Sequence, residues 1–142
     1  MTASNLFSAF NMAALLGWLI LGAGVFLNRS FLRDTVAGLW LPVLLSAGYA
    51  ALILLFFGGA EGGFDTLENV QKLFTSPWAA LAGWVHYLAF DLWMGSRIAR
   101  ESEALGLPRW PLIGLLPLTF LFGPMGYLAF EAIKAATNGA KA

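Results

Sequence analysis

The sequence contains no cysteine, which excludes disulfides, thiolate metal sites and cysteine nucleophiles and leaves the redox compartment open. It has a single histidine, His86, so a metal or haem centre would need a second imidazole from another subunit. Charge is equally scarce. Charged residues make up 11% of the 142, with eight basic and eight acidic side chains and a net charge of zero, against about 25% in soluble domains. Neither a nucleic-acid partner nor a polybasic membrane patch fits that balance. No Lys or Arg precedes Arg29. The start of the chain therefore reads as a span, not as a cleavable signal or an Arg-rich transit peptide, and the mature protein is expected to begin near Met1.

What is present is apolar. Hydrophobic residues are 59% of the chain, and the mean hydropathy is +0.74. A chain this short cannot bury so much apolar surface in a core surrounded by water, so lipid is the expected solvent. Crossing about 30 Å of hydrocarbon takes roughly 20 residues at 1.5 Å each. Four stretches qualify, at about 6–27, 36–57, 77–98 and 111–133. In lipid every backbone amide must be bonded within its own segment, so these are helices. The expectation is one all-α domain over 1–142, a four-helix transmembrane bundle. Its longest link, 58–76, places Phe64, Leu67, Val70, Leu73 and Phe74 at helical spacing opposite Glu68 and Lys72. That pattern predicts a short amphipathic helix at the membrane interface between the second and third spans, with a plain polar loop as the other reading.

Basic residues favour the cytoplasmic side. Arg29, Arg33, Arg97, Arg100 and Arg109 fall in or beside the first and third links, against Lys72, Lys134 and Lys141 elsewhere, five against three. The count places those links inside and both termini on the non-cytoplasmic side. Pro77 and Pro111 are expected to open the third and fourth helices, where a missing N–H costs little. Pro117 and Pro124 fall inside the fourth. With Gly123 and Gly126 beside it, Pro124 is expected to kink that helix or thin it for close packing, and Thr119 to help satisfy the freed carbonyls.

The unusual residues lie in GWVHYLAFDLWMGSR, Gly83 to Arg97. His86 and Asp91 fall within about 5 Å of the centre of that span. An ionised Asp there costs about 2.5–3.5 kcal/mol, so it must find partners, face the bundle interior or stay protonated. Two groups held near neutrality are what general acid–base catalysis requires. Five positions differ by about 140° around a helix, so the two do not share a face. Tyr87 and Asp91, four apart, can bond directly. His86 shares its side with Phe90 and Trp93, and Asp91 could reach Asn11, Ser46, Tyr49 or Thr119 on other helices. The alternative is interhelical glue, worth about 0.6 kcal/mol per bond. Trp84, Tyr87, Phe90 and Trp93, with Phe120 and Phe122 near Gly123, read either as packing and lipid-facing residues or as the lining of a slot for a long flat apolar molecule. Trp40 and Trp110 read as interface anchors.

The strings HYLAFDLWMGSRIA (His86 to Ala99) and PLTFLFGPMGYLAF (Pro117 to Phe130), with SPW and AGW before the first and GLPR between them, resemble the abscisic acid-deficient four-like family. The likeness is strongest over Ser76 to Phe130 and covers the whole four-helix unit. It implies a role with xanthophyll carotenoids, of the type that converts violaxanthin to neoxanthin by opening a 5,6-epoxide into an allenic alcohol. Atoms are only rearranged, so no redox cofactor or cosubstrate is implied. Carried over, Asp91 and Tyr87 are candidates for the acid and His86 for the base. Trp84, Phe90, Trp93, Asn11, Thr119, Phe120, Gly123 and Pro124 are the candidate ligand-binding residues. Without a transit peptide the chain reads as a bacterial-type member of the inner membrane, acting on a carotenoid or an isoprenoid of similar shape. Membrane lipid is the expected surrounding, and a homo-oligomer is left open. Two classes of function follow, an isomerase or a non-catalytic pigment-binding or accessory subunit of a photosynthetic or biosynthetic complex. A small transporter or proton relay fits less well, because one His and one Asp make a short relay and no inverted repeat is visible.

Overall fold

The structure, a computed structural model, describes residues 2–139. Met1, the expected start, and Lys141, one of the counted basic residues, lie outside them. Helix α1 spans Ala3–Phe26 and is capped by Thr2, whose hydroxyl accepts from the Asn5 N–H at 3.3 Å. It ends at Asn28, which adopts a left-handed φ of 56°. The next helix starts at Phe31 and not at residue 36. Its first ten residues, Phe31–Trp40, wind as a π-helix, and it continues as α2 over Leu41–Phe56. A helix can begin inside the charged stretch because Arg33 and Asp34 neutralise each other through paired bonds of 2.7 and 2.8 Å.

The predicted short helix is present as α3, Leu67–Leu73, capped by the Thr66 hydroxyl. The Asn69 amide donates to Asp65 at 2.9 Å and holds that carboxyl below the usual range. Leu73 is buried, whereas Phe64 and Leu67 are exposed, so the apolar stripe is only partly turned inward.

Helix α4 runs Pro77–Ala104 with its proline in the first turn. It passes residue 98 because Arg97 pairs with Glu101 one turn on, a spacing that supports a helix. α4 is the axis of the molecule. It lies parallel to α1, with Trp84 beside Asn11 and Gly95 beneath Trp18. It lies antiparallel to the second helix, with Ser96 against Gly38 and Trp78 stacked on Phe56. Leu21, Leu45, Val85 and Leu92 are buried where the three meet.

By length and apolarity three helical stretches could cross a membrane, Ala3–Phe26, Phe31–Gly59 and Leu112–Thr137. The third, most of helix α5 (Leu112–Gly139), is not one rod. Phe122 leaves helical geometry (φ −145°, ψ 55°), and the chain turns back on itself there. Gly126 lies against the backbone of Thr119, although seven residues of continuous helix would hold them about 10 Å apart. Lys134 bonds Glu101 at 2.7 Å, near the end of α4 from which α5 departs. The four-helix bundle is therefore met only in part: α4, the expected third span, is not among these three stretches, and the expected fourth span goes beyond a kink and is a pair of arms, 112–121 and 123–139. Pro124 explains the break. It has no N–H for the Phe120 carbonyl and its ring opposes that carbonyl, and it disfavours helical geometry at Gly123. Thr119 does not serve the freed carbonyls, since its hydroxyl donates to Leu115 O at 2.7 Å within its own arm. Pro111 sits in the turn before α5 and not inside it.

Candidate functional site

The residues singled out on α4 divide between two of its faces. One face meets α2. There His86 lies edge-on to Tyr49, ring centroids 5.4 Å apart, and against Phe90 at 4.8 Å. Two hollows follow each other along this seam. One of about 210 Å³ is lined by Tyr49, Phe57, Phe64, Phe74, His86 and Tyr87. The other, about 270 Å³, is lined by Pro42, Ser46, Ala89, Phe90 and Trp93. Ala79, Ala82, His86, Phe90 and Trp93 recur every three or four residues, so they form one stripe about 21 Å long. Tyr87 and Phe90 are 60% and 56% exposed, which leaves the seam open sideways to whatever surrounds the helices. α3 roofs one end through Leu73 and Phe74.

The other face meets α1 and the turn of α5. Trp84 and Asp91, seven residues apart, share it. The Trp84 indole donates to Asn11 Oδ1 at 3.0 Å, and the Asn11 amide donates back to Phe7 O at 2.8 Å. Below them a hollow of about 460 Å³ opens between the first turns of α1 and α4, lined by Phe7, Ser8, Pro77, Ala80 and Leu81. Above them the half-buried Asp91 carboxylate lies directly on Gly123, where a Cβ would collide with it. Pro124 follows in the turn, and Phe120 packs edge-on to Trp18 at 5.5 Å. The Trp18 indole N–H is buried without a partner among the described residues.

His86 and Asp91 thus have different neighbours, Tyr49 of α2 for one and Gly123 of α5 for the other. No hydrogen bond joins Tyr87 to Asp91 among the described residues. Of the partners considered for Asp91, Asn11 is engaged by Trp84 and Thr119 by Leu115, while Ser46 and Tyr49 line the opposite seam. A base and an acid that work on one ring must converge on it. His86 and Tyr49 lie side by side, ring centroids 5.4 Å apart, and Asp91 is on the other face of α4 against Gly123. Among the described residues no group of three His, Asp or Glu side chains converges as a metal ion would require.

Sequence reasoning placed Arg33 in a loop. It is 6% exposed, forked onto Asp34 and paired through Nη1 with Glu103 of α4. Its carbonyl accepts from the Ser96 hydroxyl at 2.9 Å. Arg109 reaches Asn28 at 2.7 Å beside the same cluster. The signal was present in the apolar flanks, Phe31 and Leu32 before it and Val36 after, which suit a helix better than a turn.

A family model described as ABA4-like, ABA DEFICIENT 4-like, matches residues 5–130, and the chain belongs to that family. It is a membrane protein by this match and by its long apolar helices. No curated protein and no solved structure matches it.

Proposed function

We propose that this member of the ABA DEFICIENT 4-like family handles a xanthophyll-type carotenoid in the plane of the membrane, and that it isomerises an epoxide end group. In this reading α1 and the helix from Phe31 to Phe56 cross, and α4, less apolar than the three stretches above, crosses packed between them. Membership of the family supports the substrate class. The seam between α2 and α4 supports the placement. It is long, narrow, lined by aromatic rings and open sideways, with one imidazole and one phenol facing each other in its roofed half. A rod-shaped polyene enters such a seam from lipid without crossing water.

In this reading the oxygenated ring rests at His86 and Tyr49 and the polyene runs past Phe90 towards Trp93. The Tyr49 hydroxyl gives its proton to the epoxide oxygen as the bond to the chain-bearing ring carbon breaks. His86 takes the proton from the first chain carbon, and the electron pair left behind completes the allene. One proton is gained and one lost, so the reaction is balanced with no cofactor. A transition state that needs both groups together is favoured by a pair already held in contact. The carrying observation is the His86–Tyr49 pair in the aromatic seam.

The test is expression in a host that accumulates an epoxy-xanthophyll, with chromatography of the extracted pigments and the visible spectrum of the purified protein. An allenic product supports the reading. A bound but unaltered carotenoid would replace the isomerase with a pigment-binding subunit, and a colourless protein with no product would remove the carotenoid.

A further inference from the structure

We infer that α5 does not cross the membrane but enters and returns, a re-entrant helical hairpin whose tip rests on Asp91. The arms have the dimensions for it. Residues 112–121 rise about 15 Å, half of a hydrocarbon core of about 30 Å. Descending from the end of α4, they bring the turn to the depth of Asp91, and Gly123 meets that residue. The second arm climbs back. Phe130 is buried beside α4, and Lys134 bonds both Glu101 of α4 and its own Glu131, at 2.7 and 2.9 Å. A straight α5 antiparallel to α4 would place Lys134 more than 20 Å from Glu101.

Broken backbone at membrane depth is tolerated where protein covers it. Here the first arm packs on α1 through Phe120 and Trp18, and the turn is buried at Gly123, against α4, and at Gly126, against the first arm, while the side chains of Phe122 and Met125 face outward. The close contacts at Gly123 and Gly126 explain why both positions lack side chains: a Cβ on either would collide, with the Asp91 carboxylate or with the Thr119 backbone.

Two consequences follow. The C-terminal arm ends on the opposite face of the membrane from the N-terminus, and not on the same one. The basic residues also become one-sided. Arg29, Arg33, Arg97, Arg100, Arg109 and Lys134 gather at the open end of the hairpin, and among the described residues Lys72 alone stands at the other. Six against one makes the open end the cytoplasmic face, where the sequence alone gave five against three.

The natural absence of cysteine makes the test direct. Exposed positions Ile113 and Ala136, each replaced by cysteine and spin-labelled in the full chain in lipid, lie under about 20 Å apart in a hairpin and about 35 Å apart in a continuous helix. In intact cells a membrane-impermeant maleimide sorts single variants by side. Ala136→Cys is expected to behave as Ser30→Cys does in the first link, and opposite to Glu68→Cys in α3. A long spin-label distance, or Ala136→Cys sorting with Glu68→Cys, overturns the inference.

Discussion

The two faces of α4 solve the same problem in opposite ways. Each carries a group that hydrocarbon tolerates poorly, His86 on one and Asp91 on the other. Asp91 is capped by another piece of the protein, the tip of α5, with glycine contacts so close that nothing else fits. His86 is left at an open seam among Tyr49, Tyr87 and Phe90. Polar residues within membrane helices are costly and mark functional positions by default. Their surroundings indicate different duties. In the proposed reading the half-buried Asp91 carboxylate, covered on one side by the turn of α5, seats the hairpin, whereas the exposed imidazole on the aromatic seam meets a molecule from the lipid.

That contrast can be broken at several points. The most damaging change is Gly126→Val, which drives two methyl groups towards the backbone of Thr119. It is expected to cost about 3 kcal/mol, the upper end for overpacking, and to weaken or abolish a cooperative melt in detergent; an unchanged melt would mean that the arms are not in contact. Next is Arg33→Met, which strands Asp34 and leaves Glu103 only its longer pairing with Arg109 at 4.0 Å. Both carboxylates keep some access to water, so the cost is about 2 kcal/mol and not the larger penalty of a sealed pair. The same melt measures it, and no loss would remove Arg33 as the tie between the second helix and α4. Trp84→Phe deletes the bond to Asn11 and should lower stability by about 0.6 kcal/mol, leaving conversion intact if the seam on the other face is the site. Smallest is Gly114→Ala in the first arm, where a Cβ meets nothing within 4 Å. Relief of backbone entropy should raise stability by about 0.5–1 kcal/mol, and a loss would show that the arm is not helical there.

Much of the fold was legible in the sequence, because hydropathy and length report directly on helices in lipid. The helix in the 58–76 link was legible from the spacing of Val70 and Leu73. The return of α5 was not. Pro124 with Gly123 and Gly126 announces a disturbance, but a kink and a reversal have the same local chemistry. What separates them is the long-range pairing of Lys134 with Glu101 and the seat offered by Asp91. The start of the second helix was missed for a related reason. Arg33 and Asp34 resemble a polar link until their mutual pairing and Glu103 are seen. At the site, helical arithmetic correctly put His86 and Asp91 on different sides of α4. Assigning each side to a partner required the structure, since nothing local in the sequence says that Tyr49 faces one and Gly123 the other.

The most direct test compares the two faces within one assay. His86→Ala and Asp91→Asn would each be expressed in a host that accumulates an epoxy-xanthophyll, with protein amounts matched and the allenic product quantified. His86→Ala is expected to lose conversion by about 100-fold or more, the range for a general base, with Tyr49→Phe showing a similar loss and melting little changed. Asp91→Asn, which keeps the shape of the side chain beneath Gly123, is expected to convert within about threefold of the natural chain, far short of what losing an acid or base costs. Full conversion by His86→Ala together with its loss in Asp91→Asn would contradict the account and move the chemistry to the tip of the hairpin.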